Sequence, residues 1–154
     1  MLSKENKANL LKLADGIEGI PSEFFHMRNW RSVRNELSSE VRMTSFRSIK
    51  DCGTIGCAVG WGPFVEGLEL NAYEQATTYI QYGVYVERLF GFLEGSDEFD
   101  WCFAASWDSV DNTARGAALR IRELARTGKV PKDSTSQRLG GTTAYMFKGV
   151  LALN

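Results

Sequence analysis

The chain has 154 residues, with 18 basic and 19 acidic side chains, one histidine, 44% hydrophobic residues and 24% charged residues. Those proportions fit one soluble globular domain that can bury a core without disulfide or metal staples, and they exclude a disordered or fibrous chain. No apolar run is long enough to span a bilayer, and Met1 to Lys7 lacks the apolar centre of a secretory leader, so neither a membrane nor export is expected.

Three cysteines, Cys52, Cys57 and Cys102, are too few for a disulfide framework, which favours a cytoplasmic, reducing location. With His26 as the lone histidine, multi-histidine metal sites are excluded, and any Ser-His-Asp or Cys-His catalysis depends on that one residue. The global charge hides segregation. Residues 1–27 carry −1 and 28–50 carry +4; residues 51–111 carry −10 with Arg88 as the lone cation; residues 112–154 carry +6. Two outcomes follow from an acidic middle between basic flanks: neutralisation within the fold, or an acidic face that repels nucleic acid and attracts basic partners.

In chain order, residues 4–17 predict a helix capped by Ser3. Leu10, Leu11, Leu13, Ala14 and Ile17 share a side, and Gly16, Gly19 and Pro21 supply the stop. Residues 21–30, with Phe24, Phe25, Met27 and Trp30, predict an aromatic connector packed onto that helix. Residues 31–50 are polar and weakly periodic, a surface excursion that accommodates short strands or a turn of helix. In the stretch Asp51 to Pro63, Asp51 or Thr54 can cap a helix that carries Gly56 and Gly60 on one face and ends at Pro63. Residues 71–93 predict a helix and then a shorter one through Leu89-Phe90, with a strand as the alternative for Tyr82–Val86. Residues 94–100 read as an acidic loop, followed by an apolar insertion at Trp101–Ala105. The cleanest helix is 112–127, capped by Asp111 or Asn112 and closed by Gly128 and Pro131. Ala114, Ala117, Ala118, Ile121, Leu124 and Ala125 face inward; Arg115, Arg120, Arg122, Glu123 and Arg126 line the rest. Residues 132–142 read as a loop, and Tyr145–Leu151 as a returning helix or edge strand. The fold class expected is mainly α: a single helical domain, 1–154, of four to five helices with room for a small β-hairpin in 31–50 or at the C-terminus.

The segment Cys52-Gly53-Thr54-Ile55-Gly56-Cys57-Ala58-Val59-Gly60-Trp61 admits four chemistries. It can be tightly packed scaffold, with cysteine acting as a small apolar residue. Cys52 near a helix N-terminus can be a reactive thiol. Cys52, Cys57, Cys102 and His26 count to a zinc set, although no pair has the short spacing of a zinc knuckle. Gly53–Gly56 can form an anion nest, although no lysine follows as in a P-loop. The scaffold reading leads, with no metal and no cofactor expected. The same segment resembles the Cys-Gly-Thr-x-x-Cys-x-x-Gly-Trp/His signature of small uncharacterised proteins of tailed phages and prophages. Leu89-Phe90-Gly91, Ser106-Trp107 and Ala117–Ile121 stand where that group has its later motifs. The resemblance covers roughly residues 4–130 and implies a phage origin, with no activity or site residue to carry over.

Two charged surfaces are candidate binding faces. Glu94, Asp97, Glu98 and Asp100 can form an acidic face for a basic protein or mimic nucleic acid; solvation is their simpler role. Arg115, Arg122 and Arg126 share one helix face and, with Lys129 and Lys132, make a basic strip that can meet phosphates; a solvated or internally paired face is its simpler role. The expected function is a non-enzymatic phage accessory protein that binds a host or phage protein, inhibition of host defence or transcription being one version of it. The alternatives are a small enzyme or ligand binder using Cys52–Gly60, and a nucleic-acid binder using the basic strip.

Overall fold

Ser3 starts the first helix: its hydroxyl accepts from the N–H of Asn6 at 3.0 Å, and the Asn6 side-chain oxygen accepts from the Ser3 N–H at 3.1 Å. The computed structural model describes residues 1–27, 31–33, 54–76, 82–131, 135–139 and 142–146. Helix α1 spans Lys4–Ile17 and buries Leu10, Leu13, Ala14 and Ile17, as its apolar spacing predicts, while Leu11 stays exposed. Gly16 does not stop it. The helix runs on to Ile17, and the space a side chain would take at Gly16 is filled by Val65.

The aromatic connector forms a 3-10 turn, Ser22–Phe24, and then buries Phe25 and Met27; Trp30 lies outside the described residues. Strands β1 (Arg31–Val33) and β2 (Thr54–Gly56) pair antiparallel, with Arg31 opposite Gly56. The His26 N–H donates to the Gly56 carbonyl at 3.0 Å, which ties the connector to the same strand. The helix predicted from Asp51 or Thr54 is therefore corrected. Thr54–Gly56 is extended because its backbone is engaged by β1 and the connector. The helix α2, Ala58–Trp61, begins only after Cys57, so Gly56 and Gly60 share no helical face. A 3-10 turn, Gly62–Phe64, follows with Pro63 inside it.

The 71–93 region holds α3 (Ala72–Ala76) and α4 (Tyr82–Phe90); Tyr82–Val86 is helical, and its β-forming residues are overridden by burial of Tyr82, Tyr85, Val86, Leu89 and Phe90 on one side. The predicted acidic loop is also corrected. Residues Asp97–Phe103 form α5, capped by the Ser96 hydroxyl accepting from the Phe99 N–H at 3.2 Å. Its first turn carries Asp97, Glu98 and Asp100, where the helix dipole favours negative charge. After a 3-10 turn, Ala105–Ser109, helix α6 spans Ala114–Thr127. Its cap is Thr113 rather than Asp111 or Asn112, because the Asp111 carboxylate is itself taken up by the Thr113 N–H and hydroxyl. Gly128 closes α6 at φ +70°, a conformation that penalises any Cβ.

The last described elements are two strands that pair antiparallel, β3 (Thr135–Leu139) and β4 (Thr142–Met146), so residues 135–139 are extended where a loop was predicted. The architecture is mainly helical, with six α-helices and two two-stranded ribbons among the described residues. Two of the six, α2 and α3, are only four and five residues long, which accounts for the difference from four to five.

One cluster of buried side chains joins the helices. α1 packs most extensively on α6, and α4 and α5 close the cluster with an aromatic run, Tyr85, Phe90, Phe92, Phe99 and Phe103, at centroid spacings of 5.6–6.2 Å. Polar ties fix the helices against one another. Asn6 and Asn9 of α1 donate to the Leu89 carbonyl near the end of α4 at 3.3 and 2.9 Å, and the Trp101 indole of α5 donates to the Arg120 carbonyl of α6 at 2.8 Å.

Candidate functional site

Among the described residues a broad surface cleft of about 630 Å³ lies between the second half of α1 and the corner where α2 turns into the following 3-10 turn. Ile20, Trp61, Phe64 and Val65, all half-buried, form its floor and wall. Lys12, Asp15 and Glu66 form an exposed rim. Short-range sequence builds this wall: α2 lasts a single turn, and Pro63 in the next turn swings Phe64 beside Trp61 at 5.6 Å, edge to face. The Trp61 indole donates to the Phe24 carbonyl at 3.0 Å, so the ring is pinned at its polar end with its apolar body beside the cleft. Leu11, 43% exposed, stands one helical turn before Asp15 and extends the apolar surface along α1.

The glycine-cysteine tract divides into two parts. Cys57, Ala58, Val59 and Gly60 are buried, and burial pushes the Cys57 thiol up to about 11. Cys102, in α5, is also buried and its thiol is likewise raised by desolvation. Burial disfavours the thiolate form at both sulfurs. Cys52, the reactive-thiol candidate, and Gly53, part of the anion nest, lie outside the described residues. Among the described residues no three His, Cys, Asp or Glu side chains come close enough to hold a metal ion.

The four acidic candidates are neighbours, but each has a local structural role available. Asp97, Glu98 and Asp100 occupy the first turn of α5, with Glu98 and Asp100 half-buried. Burial, and then the charge of Asp97, raise the Asp100 carboxyl above its usual range. Glu94, exposed, leans over Gly83 in the first turn of α4. The basic strip is divided. Arg122 forks onto Glu18 (2.7 and 2.9 Å) and Asp15 (2.8 Å) of α1, and this hydrogen bonding holds the Glu18 carboxyl below its usual range. Arg126 pairs with Glu123 at 2.8 Å. Arg115 and Lys129 are exposed, and Lys132 lies outside the described residues.

Two charged residues matter in ways the sequence reading missed. Arg88, noted as the lone cation of the acidic middle, grips Glu74 at 2.6 and 2.8 Å, and Glu74 also accepts from the Asn71 N–H at 2.9 Å. Since Asn71 accepts from the Glu74 N–H at 2.8 Å, Asn71-Ala72-Tyr73-Glu74 is a capping box for α3, a four-residue signal present in the sequence. Arg120 is the second, and its placement on the outer face of α6 is corrected: it is 1% exposed. Its guanidinium lies 4.0 Å from the centroid of the Trp107 ring, and among the described residues its Nε, Nη1 and Nη2 have no hydrogen-bond partner. Desolvation lowers its pKa to about 10.

No family model, curated protein or solved structure matches the chain. No helix among the described residues is long and apolar enough to cross a membrane.

Proposed function

We propose that the chain is a non-enzymatic accessory protein that binds another protein, with the Trp61–Phe64 cleft as its docking surface. The observation that carries this reading is the cleft itself: an open trough with an aromatic wall and a charged rim, outside the close-packed core. Aromatic side chains pinned by a hydrogen bond lose little entropy on binding, which is why such residues anchor protein interfaces. The rim selects the partner. Asp15 is already engaged by Arg122, so Glu66 sets the acidic character of the rim, while the Lys12 ammonium lies against Gly67 at the end of the trough. The occupant is therefore a segment of a protein with an apolar or aromatic side chain flanked by lysine or arginine. The phage resemblance makes a host protein the partner class, with inhibition of a defence or transcription component as the biological form.

A random peptide library displayed against the intact protein tests this. The selected sequences are expected to carry an aromatic or aliphatic anchor with basic flanks. Synthetic versions should quench or shift Trp emission on the wild type and weaken at least tenfold on Glu66→Lys. Glu66 is exposed, so that variant should keep the fold. Selection of acidic peptides, or equal affinity for Glu66→Lys and Trp61→Ala, would overturn the assignment.

A further inference from the structure

We propose that Arg120, stacked on Trp107 beside the N-terminus of α6, forms a receptor for a single oxyanion, the carboxylate or phosphate group of a small ligand. Arginine is seldom fully buried, and when it is, its five N–H groups are normally taken up by carboxylates, phosphates or carbonyls. Here, among the described residues, none of the three nitrogens has an acceptor, although the side chain is 1% exposed. Stacking on Trp107 at 4.0 Å favours the cation but satisfies no N–H, because a ring face replaces none of the in-plane acceptors of the fork. A methionine would fill a similar volume without a buried charge, so the guanidinium needs a reason that packing does not give.

The surroundings point to an anion. Side chains on a helix lean toward its N-terminus, which carries the Arg120 head back along α6 toward its first turn, where Gly116 stands four residues earlier. That turn carries partial positive charge of its own. The acidic group whose field reaches Arg120 is Asp111. It makes no ion pair with Arg120: its Oδ1 accepts from the Thr113 N–H at 3.1 Å and hydroxyl at 2.5 Å, and its carboxylate occupies the place a Cβ would take on Gly116. The Cys102 thiol, the other group facing Arg120, is kept neutral by burial. The receptor thus has a fork and an aromatic platform, and Asp111, which covers the capped first turn of α6, is close enough to favour the cation without consuming its donors. Because the guanidinium is closed off, entry needs a local opening. β4 lies against both α5 and the 3-10 turn that carries Trp107, so it adjoins the receptor.

Inorganic phosphate and succinate are the two probes, titrated into the full chain against sodium chloride at equal ionic strength. One of the two is expected to bind one-to-one by calorimetry, to raise the melting temperature saturably beyond the chloride control, and to change Trp emission; the more effective probe identifies the ligand's anionic group. Arg120→Met should lose the saturable response while melting no lower than the wild type, Arg120→Lys should bind about tenfold more weakly because the fork is gone, and Arg115→Gln, at an exposed cation of the same helix, should respond as the wild type does. If Arg120→Met does not fold, the stoichiometry and the Arg120→Lys result carry the test. No response beyond chloride, or an undiminished response in Arg120→Met or Arg120→Lys, would overturn the proposal.

Discussion

Glu74 offers the most direct test of how the acidic middle of the chain is held. Its side chain is 2% exposed, that of Arg88 is 34% exposed, and the two meet at 2.6 Å. Burial alone would keep Glu74 protonated, but the hydrogen bonds from Arg88 and from the Asn71 N–H reverse this, and its pKa lies below the usual glutamate value. Glu74→Gln keeps the shape and removes the charge. A hydrogen bond to a charged group contributes about 1.5–3 kcal/mol, and stranding one partner of a fully buried pair costs more. Arg88 is a third exposed and regains water, so the expected loss is about 2 kcal/mol, or about 4–8 °C in Tm for a chain of this size. Urea unfolding of the wild type, Glu74→Gln, Arg88→Met and the double variant isolates the pair from the other contacts of Arg88 with the Glu69 carbonyl and the Tyr85 ring. A coupling of about 1.5–2 kcal/mol is expected at neutral pH. Because the folded pKa is depressed, the stabilisation is complete above the unfolded glutamate value of about 4.3 and fades as pH falls through the lower folded value. The advantage of the wild type over Glu74→Gln should therefore vanish in acid. A coupling below about 0.5 kcal/mol, or an advantage indifferent to pH, would refute the argument.

Cys57 and Cys102 should resist alkylation at pH 8 in the folded protein and react on denaturation, as followed by mass spectrometry of digested peptides; fast labelling of either would contradict their burial. Gly128→Ala forces a Cβ into φ +70° and should cost about 1 kcal/mol in urea unfolding, with unchanged helicity by circular dichroism outside the last turn of α6.

Where neighbours in sequence supply both pattern and punctuation, the sequence is a sufficient guide. Helix α1 follows from its apolar spacing and the Ser3 cap, and α6 from its alanine-rich stripe and Gly128. The start of α5 was legible too, since a serine before three acids is a helix N-terminus signature. The density of charge in Glu94–Asp100 concealed it, because charge alone reads as loop. The capping box Asn71–Glu74 was likewise local and available.

Other features depended on distant partners. Thr54–Gly56 is extended because β1 and the connector take up its backbone, and no local rule announces pairing with a segment more than twenty residues away. The cleft exists only where α1 meets the Trp61 corner. Arg120 shows the division most sharply. Its spacing from Ala117 and Leu124 already placed it on the inward stripe of α6, but a charged side chain on such a stripe is ordinarily counted as solvated. Trp107, arriving from a separate turn, covers it. Periodicity within a helix fixes which direction a side chain faces. What it meets in that direction is set by elements folded from elsewhere in the chain, and burial and charge state follow from that meeting.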